Sequence, residues 1–221
     1  MNRRPLPRRD HEEERLLAQI WANADRAETD ALFLRLLREL QPGELEGKQV
    51  LALGGWPGPT PIGFLKAWPK ARCDLIDPSP ARLETLAQAL EALPGVARRY
   101  HPFLGGISSA SLPRGAYDLV LSPGLLHRLD DPLDLWRTIQ RVARPGVPIL
   151  VMDLMRPPSP VWLESLVATY VPANLQEDFR AALFAAYEPA EVQAQLELAG
   201  LPDLEVIVVS DRHLAVRRFF A

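Results

Sequence analysis

The sequence holds a single cysteine, Cys73, in 221 residues. One cysteine excludes an internal disulfide and any zinc site built on several thiolates. It sits in an apolar run, which predicts a buried, inert thiol. No apolar stretch reaches the roughly 18 residues that a membrane-spanning helix needs. The N-terminus carries charge but no apolar core, so no secretory signal is expected and the cytoplasm is the expected location. The formal net charge is only −3, which gives no basic field for nucleic acid. The one basic cluster, Arg3-Arg4-Pro5-Leu6-Pro7-Arg8-Arg9, is broken by proline and reads as a flexible, solvated tail over residues 1–10. The acidic pair Asp130-Asp131 has no further ligands at metal-binding spacing. Helix capping explains it, and no metal is expected. Internal repeats and low-complexity tracts are absent.

What the chain does have is 22 prolines, placed mostly at turns between periodic segments. Apolar residues at three-and-four spacing predict helix over 11–40. Short apolar runs that stop at Gly, Asp or Ser predict strands over 48–53, 71–76, 96–100, 117–121 and 148–152. Helices are expected between them, over 60–68, 80–93 and 131–143, with Thr60 and Ser79 as caps. Further helices are expected over 159–171, 174–187 and 189–199, and Trp136, Trp162 and Tyr187 fit their apolar faces. Two β-rich runs around Ser210-Asp211-Arg212 read as a terminal hairpin.

Strands that alternate with helices imply a parallel sheet with right-handed crossovers. The expected fold class is α/β: a Rossmann-like, doubly wound, seven-stranded sheet, mostly parallel, with a C-terminal antiparallel hairpin and helices on both faces. It forms one domain over 11–221, with an N-terminal helical segment (11–47) and a core (48–221). Ligands in such folds bind at the carboxyl ends of the strands. Those ends are Gly54 to Gly58, Asp77, Gly105-Gly106, Ser122 to His127, and Asp153. His127 is the candidate general base among them.

The segments VLALGGWPG (50–58), LIDPSPARLETL (75–86), YDLVLSPGLLHRLDDPLDLW (117–136) and RVARPGVPILVMDLMRP (141–157) resemble, in order and spacing, the class I S-adenosylmethionine (SAM) methyltransferases. The similarity is greatest to small bacterial enzymes of the ubiquinone/menaquinone-methyltransferase type. The resemblance implies SAM as cofactor, with Gly54, Gly58, Asp77 and Pro78 as its loop and ribose contacts. It also implies a mostly small-molecule substrate, and a seven-stranded sheet completed by the hairpin.

Against that family's strand-one signature V-L-D-L-G-C-G-P-G, Ala52 replaces the Asp and Trp56 replaces a Gly. Where relatives carry a Gly-Asp pair after strand three, this chain has Gly105-Gly106, so the adenine-binding carboxylate is expected to be missing. Relatives tend to read S-N-S-L-L-H-H-L after strand four; here the run is Ser122-Pro123-Gly124-Leu125-Leu126-His127-Arg128-Leu129. A Tyr-Asn-Ser run after Asp178-Phe179 is replaced by Arg180-Ala181-Ala182. Scaffold residues stay and polar pocket residues go. The leading expectation is a methyltransferase homologue with an impaired SAM site, acting by binding or as a partner subunit in a possible oligomer. The alternatives are an active SAM-dependent methyltransferase on a small molecule, and a remodelled pocket for another ligand.

Overall fold

The computed structural model describes residues 1–54 and 59–218. The expectations placed on Trp56 and Gly58 lie outside the described residues. Seven strands form one sheet: β1 (Gln49–Leu53), β2 (Arg72–Asp77), β3 (Tyr100–Leu104), β4 (Leu119–Pro123), β5 (Ile149–Leu154), β6 (Glu205–Val208) and β7 (His213–Arg218). Their order is β3-β2-β1-β4-β5-β7-β6. The first five run parallel and β7 is antiparallel to both neighbours. This is the Rossmann-like, mostly parallel seven-stranded sheet with a C-terminal antiparallel hairpin anticipated from the sequence. The strand order reverses between β1 and β4, which opens a crevice at their carboxyl ends.

Nine helices surround the sheet among the described residues: α1 (His11–Ala22), α2 (Ala27–Leu40), α3 (Pro59–Ala67), α4 (Pro80–Glu91), α5 (Pro94–Ala97), α6 (Leu133–Val142), α7 (Pro160–Tyr170), α8 (Gln176–Ala185) and α9 (Pro189–Leu198). Successive residues of β1 face opposite cores, as strand geometry requires. Val50 and Ala52 pack with Phe33 and Leu37 of α2, Phe64 of α3 and Leu86 of α4. Leu51 and Leu53 pack with Trp136 and Ile139 of α6 and Val192 of α9. A third cluster lies apart from these two: Trp21 of α1 with Leu163 and Leu166 of α7 and Phe179 and Leu183 of α8.

Local chemistry fixes the helix starts. Asp10 and Glu13 form a reciprocal capping box at α1. Ser79 caps α4, with Pro80 at the first helical position. α3 begins at Pro59, one residue before the expected cap position 60. Asp131 Oδ1 accepts the Leu133 N–H at the entry to α6 at 2.9 Å, the capping role expected of the acidic pair.

Four expectations change. The 11–40 segment is two helices, broken at residues 23–26. The third strand is Tyr100–Leu104 rather than 96–100, because Pro94-Gly95-Val96-Ala97 closes a helical turn instead. Trp162 is exposed rather than packed on a helical face, and Tyr187 lies beyond α8, bridging to Met155. The basic N-terminal segment, read as a solvated tail, lies against the protein. The Arg4 N–H donates to Phe184 O at 2.9 Å, Arg3 Nε donates to Ala185 O at 2.8 Å, and Arg9 pairs with Asp178 at 2.7 Å. Cys73 is buried as expected, and burial pushes its thiol well above the ordinary range.

Trp136 is fully buried and its indole N–H donates to Gln195 Oε1 at 3.0 Å, tying α6 to α9. Trp136→Ala is expected to destabilise the protein by about 3–5 kcal/mol, read from urea unfolding. A loss below about 1 kcal/mol would contradict this packing.

Candidate functional site

At the carboxyl end of β1, Gly54 packs closely against Leu125. Gly54 has φ +88°, and a Cβ built on it would lie 2.9 Å from Leu125 Cβ. Both the left-handed backbone and the close approach demand glycine here. Leu125 is buried against that turn, and Ser122 Oγ donates to Leu53 O at 3.0 Å beside it.

Asp77 ends β2, where the resemblance places a ribose ligand. It is 1% exposed and already engaged. Arg82 Nε donates to Oδ1 and Oδ2 at 3.0 and 3.1 Å, and Arg82 Nη2 lies 2.8 Å from Oδ1. The Ser79 N–H donates to Oδ1 at 2.7 Å. Arg82 is itself held by Glu14 of α1 at 2.9 Å. One turn of α4 brings the guanidinium back over the strand end, and α1 locks it there.

β3 ends at Leu104, immediately before Gly105-Gly106. No acidic residue follows until Asp118, which lies at the opposite end of β4 and is bound to the Gln49 N–H and Arg144. Ala52 is buried among apolar side chains.

A different polar cluster occupies the ends of β4 and β5. His127 stands on a one-turn 3-10 helix, Leu126–Arg128, just past β4. Its Nδ1 is 2.6 Å from Asp153 Oδ1, and both side chains are at most 3% exposed. Asp153 also accepts the Leu154 and Leu126 N–H groups at 2.7 Å each. A carboxylate so surrounded by donors is an acceptor toward the ring, so we assign a proton to Nδ1. Nε2 is buried and has no hydrogen-bond partner.

His127 and Asp153 line a cavity of about 490 Å³. Its walls include Trp21, Tyr170 and Phe179, and its cations are Arg26, Arg128 and Arg212. Burial lowers Arg26 and Arg128 to about 10, which leaves both charged at neutral pH. Arg212 lies 3.3 Å over the Tyr170 ring and pairs with Glu28 and Asp211 at 2.9 Å each. His213 is depressed to about 3 by burial and then by Arg212 and Arg26, so it stays neutral. A second cavity of about 280 Å³, lined by Pro78, Arg82 and Leu125, adjoins the first. Trp21, Arg128 and Asp178 belong to both linings. Asp178 is held there by the Trp21 indole at 2.6 Å and by Arg9.

The structure thus brings His127 into a dyad, puts Pro78 on the smaller cavity and engages Asp77 with Arg82. Gly106 stands at the end of β3, and its carbonyl accepts the Ala110 N–H at 2.9 Å. Of the altered run after Phe179, Ala182 is on the cavity wall, while Arg180 pairs with Glu164 at 2.8 Å. Sequence reasoning did not find Arg26, Arg212 and His213. Leu154 pairs with His213 across antiparallel strands, which carries the hairpin turn to the end of β5. The polar run Ser210-Asp211-Arg212-His213 inside an apolar hairpin was the available signal. Among the described residues no group of three or more His, Cys, Asp or Glu could hold a metal, and no helix is long and apolar enough to cross a membrane.

The comparisons bear on the fold. Residues 51–149 match a family model described as a methyltransferase domain. The fold is similar to a SAM-dependent methyltransferase from Aquifex aeolicus, at 19% identity over 97% of this chain and 100% of that one, with a TM-score of 0.64. It is similar to an O-methyltransferase family 2 protein from Planctomyces limnophilus, solved with apigenin, at 20% identity over 97% and 62% of the two chains, with a TM-score of 0.65. It is similar to geranyl diphosphate C-methyltransferase from Streptomyces coelicolor, solved with S-adenosyl-L-homocysteine, at 10% identity over 97% and 100%, with a TM-score of 0.61. No curated protein matches the sequence. Residues 51–149 are thus similar to a methyltransferase domain, and the chain shares its fold with solved SAM-dependent methyltransferases.

Two predictions follow from the electrostatics. Arg82→Met withdraws the guanidinium from the buried Asp77 carboxylate, and an expected loss of about 3 kcal/mol should appear in urea unfolding. An unchanged midpoint would mean that the pair contributes little. His213 titrates at about 3 when folded, against 6.5 ordinarily. As pH falls from about 6.5 toward 3 the unfolded chain binds the proton first, so stability is lost across that window. His213→Asn should flatten that part of the stability profile; parallel profiles would contradict the assignment.

Proposed function

We propose that the chain is a methyltransferase-family protein whose SAM site is closed, a non-catalytic or partner-dependent homologue acting through binding. The carrying observation is Asp77: the one acid left at the ribose position is buried under Arg82, and Glu14 of α1 pins that arginine. Freeing a buried carboxylate from its partner costs about 3–5 kcal/mol. At about 1.4 kcal/mol per tenfold, that weakens a ribose contact by two to three orders of magnitude. Three further features add to this. Ala52 and Gly106 supply no carboxylate. Leu125 covers the Gly54 turn. Arg82 and Arg128 bring positive charge close to Asp77, where a sulfonium cation gains nothing from it. The described residues at the ends of β1, β2 and β3 do not fit SAM. The likeness to the ubiquinone/menaquinone type, carried by the segments 50–58, 75–86, 117–136 and 141–157, is read as ancestry.

Calorimetric titration with SAM and with S-adenosylhomocysteine tests this. No binding is expected up to about 1 mM of either. Micromolar binding would overturn the reading in favour of an active SAM-dependent methyltransferase.

A further inference from the structure

The larger cavity holds a polar arrangement that the closed cofactor site does not use. His127 is buried, its Nδ1 is committed to Asp153, and Nε2 has no hydrogen-bond partner in the protein. A buried polar atom left unmatched is costly, so a ligand that meets it gains from the match. Arg128 follows His127 on the same 3-10 turn and lines the same cavity, as does Arg26. A guanidinium only donates, whereas a neutral imidazole protonated at Nδ1 accepts at Nε2. One short turn thus presents an acceptor and a set of donors.

The charges on the lining narrow the ligand. Its four acids are engaged: Asp153 by three N–H donors, Asp178 by Arg9 and Trp21, Glu28 by Arg212, and the exposed Asp25 by the Ala27 N–H. Its three guanidinium groups face carboxylates in turn. Arg212 pairs with Glu28 and Asp211, Arg26 has Asp30 near it, and Arg128 interacts with Asp178, Asp77 and Asp153. His213 stays neutral. A ligand with a full charge of either sign would be desolvated here with no unmatched counter-charge to meet it. A neutral ligand avoids that cost. It must donate to Nε2 and accept from a guanidinium, and the Trp21, Tyr170 and Phe179 walls select a flat ring. A lactam, with an N–H beside a carbonyl on one ring, combines these features. A volume of about 490 Å³ lies in the ordinary range of small-molecule sites.

We propose that this cavity binds a neutral, planar aromatic lactam, whose ring N–H donates to His127 Nε2 and whose carbonyl accepts from Arg128. No bond is made or broken, so the site is one of recognition. The proposal goes beyond the binding role argued above, since it uses the larger cavity alone and holds whether or not SAM binds.

The probe is 2-quinolone, titrated calorimetrically into the full chain without SAM and compared with coumarin and benzoate. Coumarin keeps the ring and the carbonyl but has an oxygen in place of the N–H, so its lone pairs oppose Nε2. A site built around that N–H rejects an analogue lacking it. 2-Quinolone is expected to saturate the protein below millimolar concentration, with coumarin at least tenfold weaker and benzoate weaker than 2-quinolone. In His127→Leu, checked for folding by circular dichroism, 2-quinolone should fall to the affinity of coumarin. Arg128→Met should weaken both alike, since both keep the carbonyl. Absence of saturable 2-quinolone binding, a preference over coumarin below tenfold, or tighter binding of benzoate would each overturn the proposal. So would a preference kept in folded His127→Leu, or unchanged affinity in folded Arg128→Met. The wild-type comparison decides even where a variant does not fold. Failure here leaves the cofactor titration untouched, and micromolar SAM binding there leaves this result standing.

Discussion

The ion pair between Asp77 and Arg82 ties three elements of this molecule together. It joins the end of β2 to the first turn of α4, and through Glu14 it fastens α1 to both. The position of α1 in turn places Trp21, whose indole holds Asp178 and whose ring meets Phe179 edge-on at 6.3 Å. A buried carboxylate with neither a counter-ion nor hydrogen-bond donors is untenable in a low-dielectric interior. A folded chain with Asp77 at 1% exposure therefore needs a partner for it. Here the partner is a side chain of the protein itself.

That choice separates two properties usually found together. The Rossmann-like sheet is held by apolar packing that is indifferent to the cofactor. Leu51 and Leu53 on one face and Val50 and Ala52 on the other are covered by helices whichever ligand is present. Core packing of this kind survives changes at the crevice, because binding residues stand on the turns beyond the strands and not within them. The fold is thus strong evidence of kinship and weak evidence of chemistry.

The same division explains what could be read from the sequence. Buried parallel strands announce themselves as apolar runs, so β1, β2, β4 and β5 were legible to within two residues. β3 was not, because an edge strand exposed along most of its length, with His101 and Pro102 inside it, has no apolar signature. Asp77 and His127 were legible as strand-end residues, but their partners were not. Arg82 looks like any helix residue until the helix folds back over β2, and Asp153 finds His127 only when β4 and β5 pair. Arg212 and His213 come from a hairpin whose antiparallel return no local pattern specifies, and Arg26 from a break within what reads as one helix. Long-range juxtapositions of this kind have no signal in spacing.

The polar chemistry of the crevice is therefore distributed unevenly. On the β1–β2 side, Asp77 is held by Arg82, and Ala52 and Gly106 carry no carboxylate. On the β4–β5 side, a His–Asp pair, three guanidinium groups and aromatic walls line a cavity of about 490 Å³. Trp21, Arg128 and Asp178 belong to the linings of both cavities. Arg128 interacts with Asp77 on one side and Asp153 on the other, so one guanidinium at the partition couples the electrostatics of the two.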